Sequence, residues 1–366
     1  MKKLAILIIV LTVPALAGAY FVYARVQTPY RGYGEPEQFV EIPPGLGTTS
    51  IGKRLVAAGL VRDELTYRVA LWMSGDARRL QAGEYRFSRP MTPAEVIGQI
   101  ARGEVDRLRV VFPEGLTIGE MSKIFESNGL GPAADFVTAA GNLALIEGLD
   151  SEARDLEGYL FPDTYSIPRH TEASQLVRLM IERFKAIATD SLREEARARG
   201  WTTRQMVTIA SLVEKETSRP EERPIVAAVY ANRLRLGMAL QCDPTVIYAL
   251  MRAGKYTGNL RRDDLALNSP YNTYRFPGLP PGPIAAPGKT SLEAVARPAD
   301  ADYLYFVSRN DGSHEFARTL AEHNRNVQKF QVQYFRDRRT SRAGRPGETG
   351  RSGGGGRAGG AGGGGR

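Results

Sequence analysis

The first 28 positions carry a single long apolar pattern, and the rest of the chain carries many short ones. Residues 4–24 contain no charge, a run of 21 residues behind Lys2 and Lys3. At about 1.5 Å per helical residue, that run matches the thickness of a bilayer core. Further on, apolar positions recur at helical or alternating spacing over stretches of about ten residues, separated by Gly and Pro. Residues 65–73 predict a helix and residues 83–87 a strand. Thr92, Pro93 and Glu95 predict a capped helix start, running to about Ala101. Residues 107–112 predict a further strand. Helices are predicted from Thr202 or Thr203 through 216, over about 224–236 with Gly237 as the stop, and from Asp243 to about Met251. A hairpin is predicted with strands 303–308 and 314–316 around Asn310-Asp311-Gly312, then a helix over 319–330. Short strands mixed with helices predict an α+β fold.

One pattern occurs twice. Residues 42–60, IPPGLGTTSIGKRLVAAGL, align without a gap on residues 112–130, FPEGLTIGEMSKIFESNGL. Pro43/Pro113, Gly45/Gly115, Leu46/Leu116, Lys53/Lys123, Gly59/Gly129 and Leu60/Leu130 are identical. Each copy reads as a strand end, a turn, an amphipathic helix and a glycine stop. Two copies are too few for a solenoid, so this is a reused βα unit. Units of this kind also resemble the LysM glycan-binding module.

Composition narrows the class. Apolar residues make up 42% and charged residues 24%, as in a folded protein. The formal charge of +9 invites a nucleic-acid reading, but residues 336–366 carry +6 of it, along with 13 of the 39 glycines. The folded part therefore offers no strong nucleic-acid surface, and the Gly/Arg tail is expected to be disordered. The single cysteine, Cys242, excludes an internal disulfide. Lys2 and Lys3 favour a cytoplasmic N-terminus. An uncleaved anchor is expected over a cleaved signal peptide, because the run exceeds the usual h-region and Tyr20, Phe21 and Tyr23 suit a membrane interface. Either way the body lies outside the cytoplasmic membrane.

The candidate chemistry sits after residue 150. Residues 157–165, EGYLFPDTY, pack acids and aromatics into a loop or strand end, with Glu157, Tyr159, Asp163, Thr164 and Tyr165 as candidate sugar contacts. Residues 268–287 hold six prolines and three aromatics. This stiff polar–aromatic loop offers Asn268, Tyr271, Asn272, Thr273 and Tyr274. Gln241, Asp243 and Thr245 flank a helix start. On the helix ending SLVEKET, Glu214 and Glu216 fall on opposite margins of the apolar arc at about 100° per residue. Partial burial at such a margin raises a carboxyl pKa and suits a general acid. Angle alone does not choose between them. The three histidines, His170, His314 and His323, form no ligand pattern, so no metal is expected. A Cys242–His314 nucleophile pair is the weaker alternative to a small buried cysteine.

Taken together, SLVEKET, NRL, LQCDPTVIYAL, NSPYNTY, GLPPGPIAAPG, EGYLFPDTY and the late His314, Phe316 and Asn324 resemble the MltG-type, YceG-like endolytic murein transglycosylases over about residues 36–335. The resemblance implies a membrane anchor (residues 1–28), a LysM-like subdomain (36–110) and a catalytic domain (111–335), with the tail (336–366) outside the pattern. It implies cleavage of the β-1,4 bond between N-acetylmuramic acid and N-acetylglucosamine with 1,6-anhydro ends, limiting the length of nascent glycan strands. It places the catalytic Glu on Glu214 and needs no cofactor. Its implied partners are peptidoglycan strands, the cytoplasmic (inner) membrane and peptidoglycan synthases, the penicillin-binding proteins. The catalytic domain would then be periplasmic. Cys242 departs from the pattern, where a small polar residue such as Thr is common. The alternative is a non-catalytic wall-binding scaffold.

Overall fold

A computed structural model describes residues 2–334 and 336, the side chains of residues 2–11 and 15 excepted. The expected disordered tail lies almost wholly outside the described residues. The fold is a mixed α+β arrangement, and among the described residues it has three two-stranded antiparallel sheets.

Helix α1 (Lys2–Gln27) contains Pro14. Over the described residues, no helix is long and apolar enough to cross a membrane; the uncharged run falls partly on side chains outside that set. The end of α1 is tied to the first core of the body. Val26 is buried, Arg25 pairs with Asp63 at 3.0 Å, and the Tyr30 N–H donates to the Met91 carbonyl at 2.8 Å.

That first hydrophobic core gathers residues between Val26 and Ile100. Strand β1 (Gln38–Ile42) pairs with β2 (Gly83–Phe87), with Gln38 opposite Phe87 and Ile42 opposite Gly83. Their alternation turns Val40, Ile42, Tyr85 and Phe87 inward and Glu41 and Arg86 outward. Helices α2 (Thr48–Ala57), α3 (Glu64–Ser74) and α4 (Pro93–Ala101) cover that face. As expected, Thr92 caps α4, in a reciprocal box with Glu95.

The second core starts where the repeat restarts. Strand β3 (Leu108–Val111) leads into α5 (Ile118–Ser127) as β1 leads into α2. Gly45 and Gly115 share φ values of 78° and 79°, and Gly59 and Gly129 share 69° and 71°. Both copies hold a left-handed turn that a side chain would strain. β3 pairs with β4 (Thr164–Ile167) rather than with β1 or β2. Helices α6 (Ala133–Ala139), α7 (Ala173–Ile187) and α8 (Asp190–Ala198) enclose Phe136, Leu176, Met180 and Phe184.

At the centre of this core runs α9 (Thr203–Glu216). It is buried on every side from Met206 to Val213. It packs against α8, α10 (Arg223–Arg235), α11 (Asp243–Arg252) and α12 (Lys289–Ala296). The chain closes with β5 (Tyr305–Ser308), β6 (His314–Ala317) and α13 (Leu320–Val327), which continues into a wider turn at Gln328–Gln333.

Candidate active site

Because α9 is fixed by burial on all sides, its last turn presents Glu214, Lys215 and Glu216 in fixed and different directions. Glu214 turns inward. Its Oε1 accepts from Arg223 Nη2 at 2.7 Å, and its Oε2 accepts from the Gly288 N–H at 2.9 Å and the Ser291 hydroxyl at 2.8 Å. The side chains of Arg223 and Glu214 are only 7% and 5% exposed. Gly288 caps α12, so Glu214 places its negative charge at a helix N-terminus. Arg223 also reaches Glu114 at 3.3 Å and the Thr290 hydroxyl. A Cβ on Gly288 would collide with the Glu114 carboxylate. Burial pushes the Glu214 carboxyl up, and the Gly288 N–H, the Ser291 hydroxyl and Arg223 oppose it. Lys215 donates to the Gly115 carbonyl at 3.0 Å, which ties α9 to the repeat.

Glu216 is half-buried and differently partnered. Its Oε1 accepts from the Tyr230 hydroxyl at 2.8 Å. Burial and the neighbouring Asp243 charge push its carboxyl up, and the Tyr230 hydroxyl opposes them. It forms no ion pair with Lys or Arg among the described residues. Around it stand Gln241 and Asp243, both exposed, and half-buried Tyr274, whose hydroxyl donates to Asp243 at 2.6 Å. Gln241 holds a positive φ of 52°.

Beneath that rim lies a brace. Thr245, Asn272 and Thr273 are fully buried. The Thr245 and Thr273 hydroxyls meet at 2.9 Å, and Thr273 Oγ1 accepts from the Cys242 N–H at 3.0 Å. Asn272 donates to the Leu265 and Leu267 carbonyls at 2.9 and 2.8 Å and accepts from the Tyr274 N–H at 3.0 Å. These three side chains, read from sequence as sugar contacts, hold the loop that carries Tyr274. Asn268 is exposed on the same loop.

The EGYLFPDTY residues go elsewhere. Tyr159 is core, its hydroxyl donating to Asp150 at 2.8 Å, and Asp150 pairs with Arg204 at 2.6 Å. Tyr165 is buried, its hydroxyl on the Phe161 carbonyl at 2.7 Å. Tyr159 and Tyr165 therefore pack inside rather than stack on a sugar. Asp163 pairs with Arg183 at 2.7 Å, beside exposed Thr164. Glu157 is buried against the start of α5, accepting from the Ile118 N–H at 3.1 Å and the Tyr248 hydroxyl at 3.2 Å. Burial pushes its carboxyl up to about 8. It lines a cavity of about 380 Å³ with Lys123, Tyr248 and Arg252, and Tyr271 packs on Tyr248 with ring centres 5.0 Å apart.

Sequence reasoning missed Tyr230, Glu222, Arg223 and Ser291. One signal was available: Tyr230 is a polar tip in the apolar stretch Val226, Ala227, Ala228, Val229 of α10. Among the described residues, no group of three or more His, Cys, Asp or Glu is placed to hold a metal.

The centrally buried helix that ends in two glutamates of different environment, and the braced polar loop after it, both lie within residues 40–329, the region that matches the YceG-like family. The chain belongs to the YceG-like family. An endolytic murein transglycosylase of Bacillus subtilis is 29% identical over 332 residues, covering 86% of this chain and 91% of its own. An endolytic murein transglycosylase of Streptococcus pneumoniae is 30% identical over 345 residues, covering 85% of this chain and 62% of its own length. A yceG-like protein of Listeria monocytogenes, solved by crystallography, superposes with a TM-score of 0.55 at 29% identity, over 80% of this chain and 99% of that one.

Proposed function

We propose that this chain is an endolytic murein transglycosylase, and that Glu216 rather than Glu214 donates the proton. One observation carries the choice. Both carboxyl oxygens of Glu214 are taken up by a guanidinium, an amide N–H and a hydroxyl, which together favour the ionised form. Glu216 is held by a phenol, at the rim beside Asp243 and Tyr274, with no guanidinium or ammonium on it among the described residues. Burial raises the Glu216 carboxyl, and with no ion pair to Lys or Arg among the described residues it is the better placed of the two to give a proton to a glycosidic oxygen. Gln241, Asp243 and Tyr274 stand where sugar hydroxyls would be bound.

A hydrolase normally uses two carboxyls with a water. Here the C6 hydroxyl of the muramic residue replaces the water. It is tethered to the ring, so its attack on C1 gains the effective molarity of an intramolecular step. Mass spectrometry of glycan strands after incubation with the full chain tests the reading. Products ending in 1,6-anhydromuramic acid are expected, and products with only free reducing ends would sink it.

The same reading places α1 in the cytoplasmic membrane with the body on its outer face. Lys2, Lys3 and the uncharged run support this, as do Tyr20, Phe21 and Tyr23, which are 73%, 56% and 51% exposed on its last turns. The first core, about residues 36–110, would serve as a LysM-like glycan-binding subdomain ahead of the catalytic domain, residues 111–335. Synthases laying down strands at that membrane are the implied partners. Shortening of their products would set strand length.

A further inference from the structure

The β5–β6 hairpin lays a buried acid–imidazole pair against the end of α9. Glu222 lies in the turn between α9 and α10. Its Oε2 accepts from the Thr217 hydroxyl at 2.9 Å and lies 2.7 Å from His314 Nδ1, and its Oε1 accepts from the His314 N–H at 2.9 Å. The side chains of His314 and Glu222 are only 12% and 9% exposed. Burial works against ionising Glu222, yet the bonds from His314 and Thr217 outweigh it and hold the carboxyl below its ordinary range. Glu222 engages Nδ1, so Nε2 is the nitrogen on the side of the ring away from that carboxylate. The rings of Phe306 and Phe316, with centres 5.5 and 6.4 Å from the imidazole, limit its rotation.

This pair adjoins the proposed acid. Thr217, which bonds Glu222, follows Glu216 directly in the chain. The Phe306 ring packs against both the His314 ring, with centres 5.5 Å apart, and the ring of Tyr230, the hydroxyl donor to Glu216, with centres 6.3 Å apart. The other titratable groups that face Glu216 are Tyr230 from α10, Cys242 and Asp243 from α11, Tyr274 from the 268–287 loop and, at longer range, Arg233. None of these is a free base. The Tyr230 and Cys242 protons are held by burial, and Asp243 already accepts the Tyr274 hydroxyl.

We propose that His314 is a second catalytic residue, the base that takes the C6 hydroxyl proton, with Glu222 as its positioning residue. The proposal rests on the transglycosylase reading of the site. In the step, the C1–O4 bond breaks as the C1–O6 bond forms. The Glu216 proton goes to O4 and the O6 proton goes to Nε2. The enzyme is left with a Glu216 carboxylate and a His314 imidazolium. Transfer of one proton between them restores both.

Substitution of His314 by Asn tests it, because the amide N–H can still donate to Glu222 while nothing replaces Nε2. With the full chain and purified glycan strands, His314→Asn is expected to melt near the wild type. It should lose roughly 10²–10⁴-fold in kcat, with KM little changed. The limb of the wild-type pH profile that reports a neutral base should vanish from its residual activity. Glu222→Gln should lose kcat with His314 still in place, since the amide lets the imidazole take the wrong tautomer. Added imidazole should restore part of the activity of His314→Gly. A folded His314→Asn with wild-type turnover, or a His314→Gly variant that imidazole leaves inactive, overturns the proposal. Absence of anhydro products from the wild type would instead overturn the transglycosylase reading itself.

Discussion

Arg223 and Glu214 form a buried pair, Nη2 to Oε1 at 2.7 Å, and it separates two glutamates that stand two residues apart on one helix. Removing one partner of such a pair leaves a buried charge uncompensated and typically costs about 3–5 kcal/mol. Glu214→Gln should therefore lower the melting temperature by roughly 6–20 °C. Activity should fall mainly through the fraction unfolded. A variant that melts like the wild type but has no turnover would move the acid role back to Glu214.

Glu216→Gln should show the opposite signature. The amide still accepts from the Tyr230 hydroxyl, so the melt should change little. Loss of the positioned proton should cost roughly 10²–10⁴-fold in turnover. The same variant separates the enzyme from a non-catalytic wall-binding scaffold, which has no turnover to lose.

Glu157 predicts a pH dependence of stability. Its carboxyl is raised from about 4.5 unfolded to about 8 folded by burial. The native state therefore binds the proton more tightly, and this contribution is fully present below pH 4.5 and lost as pH rises through 8. Thermal melts from pH 5 to pH 9 should show wild type losing stability relative to Glu157→Gln, by a few kcal/mol at most. Parallel curves for the two proteins would remove Glu157 as the cause.

Asn272→Ala should remove the buried amide that bonds the carbonyls of half-buried Leu265 and Leu267 at 2.9 and 2.8 Å. Each unsatisfied buried group costs about 1–3 kcal/mol. The variant should melt several degrees lower and lose activity as Tyr274 is released. If binding to glycan weakens with the melt unchanged, Asn272 touches substrate after all.

Cys242 should resist modification. It is 2% exposed, and burial beside Glu216 pushes its thiol well above the ordinary range. The thiolate is the reactive form. Labelling with a thiol reagent at neutral pH should be slow in the native protein and immediate in denaturant. Fast native labelling would show that the loop around Gln241 opens.

Where the information was local, the sequence was enough. Thr92, Pro93 and Glu95 lie within one helical turn, and they made the predicted cap of α4. The repeat glycines at 45 and 115 pointed to a shared turn, and their φ values agree. The predicted strand at 83–87 came from alternation, and Pro244 marked the start of α11, although Cys242 rather than Asp243 is its N-cap and the proline falls at its second position, not its first. Helical angle likewise put Glu214 and Glu216 on opposite margins of α9. What each carboxyl meets there was decided only by tertiary structure, because the partners come from distant parts of the chain. Gly288 and Ser291 lie 74 and 77 residues after Glu214, and Glu222 meets a histidine 92 residues on. The inward turn of Asn272, Thr273 and Thr245 has the same cause: a loop rich in proline has no periodicity to say which side chains face in. Spacing along the chain fixes which faces a helix has, but a proton's affinity depends on the donors, charges and burial that other elements bring to that face.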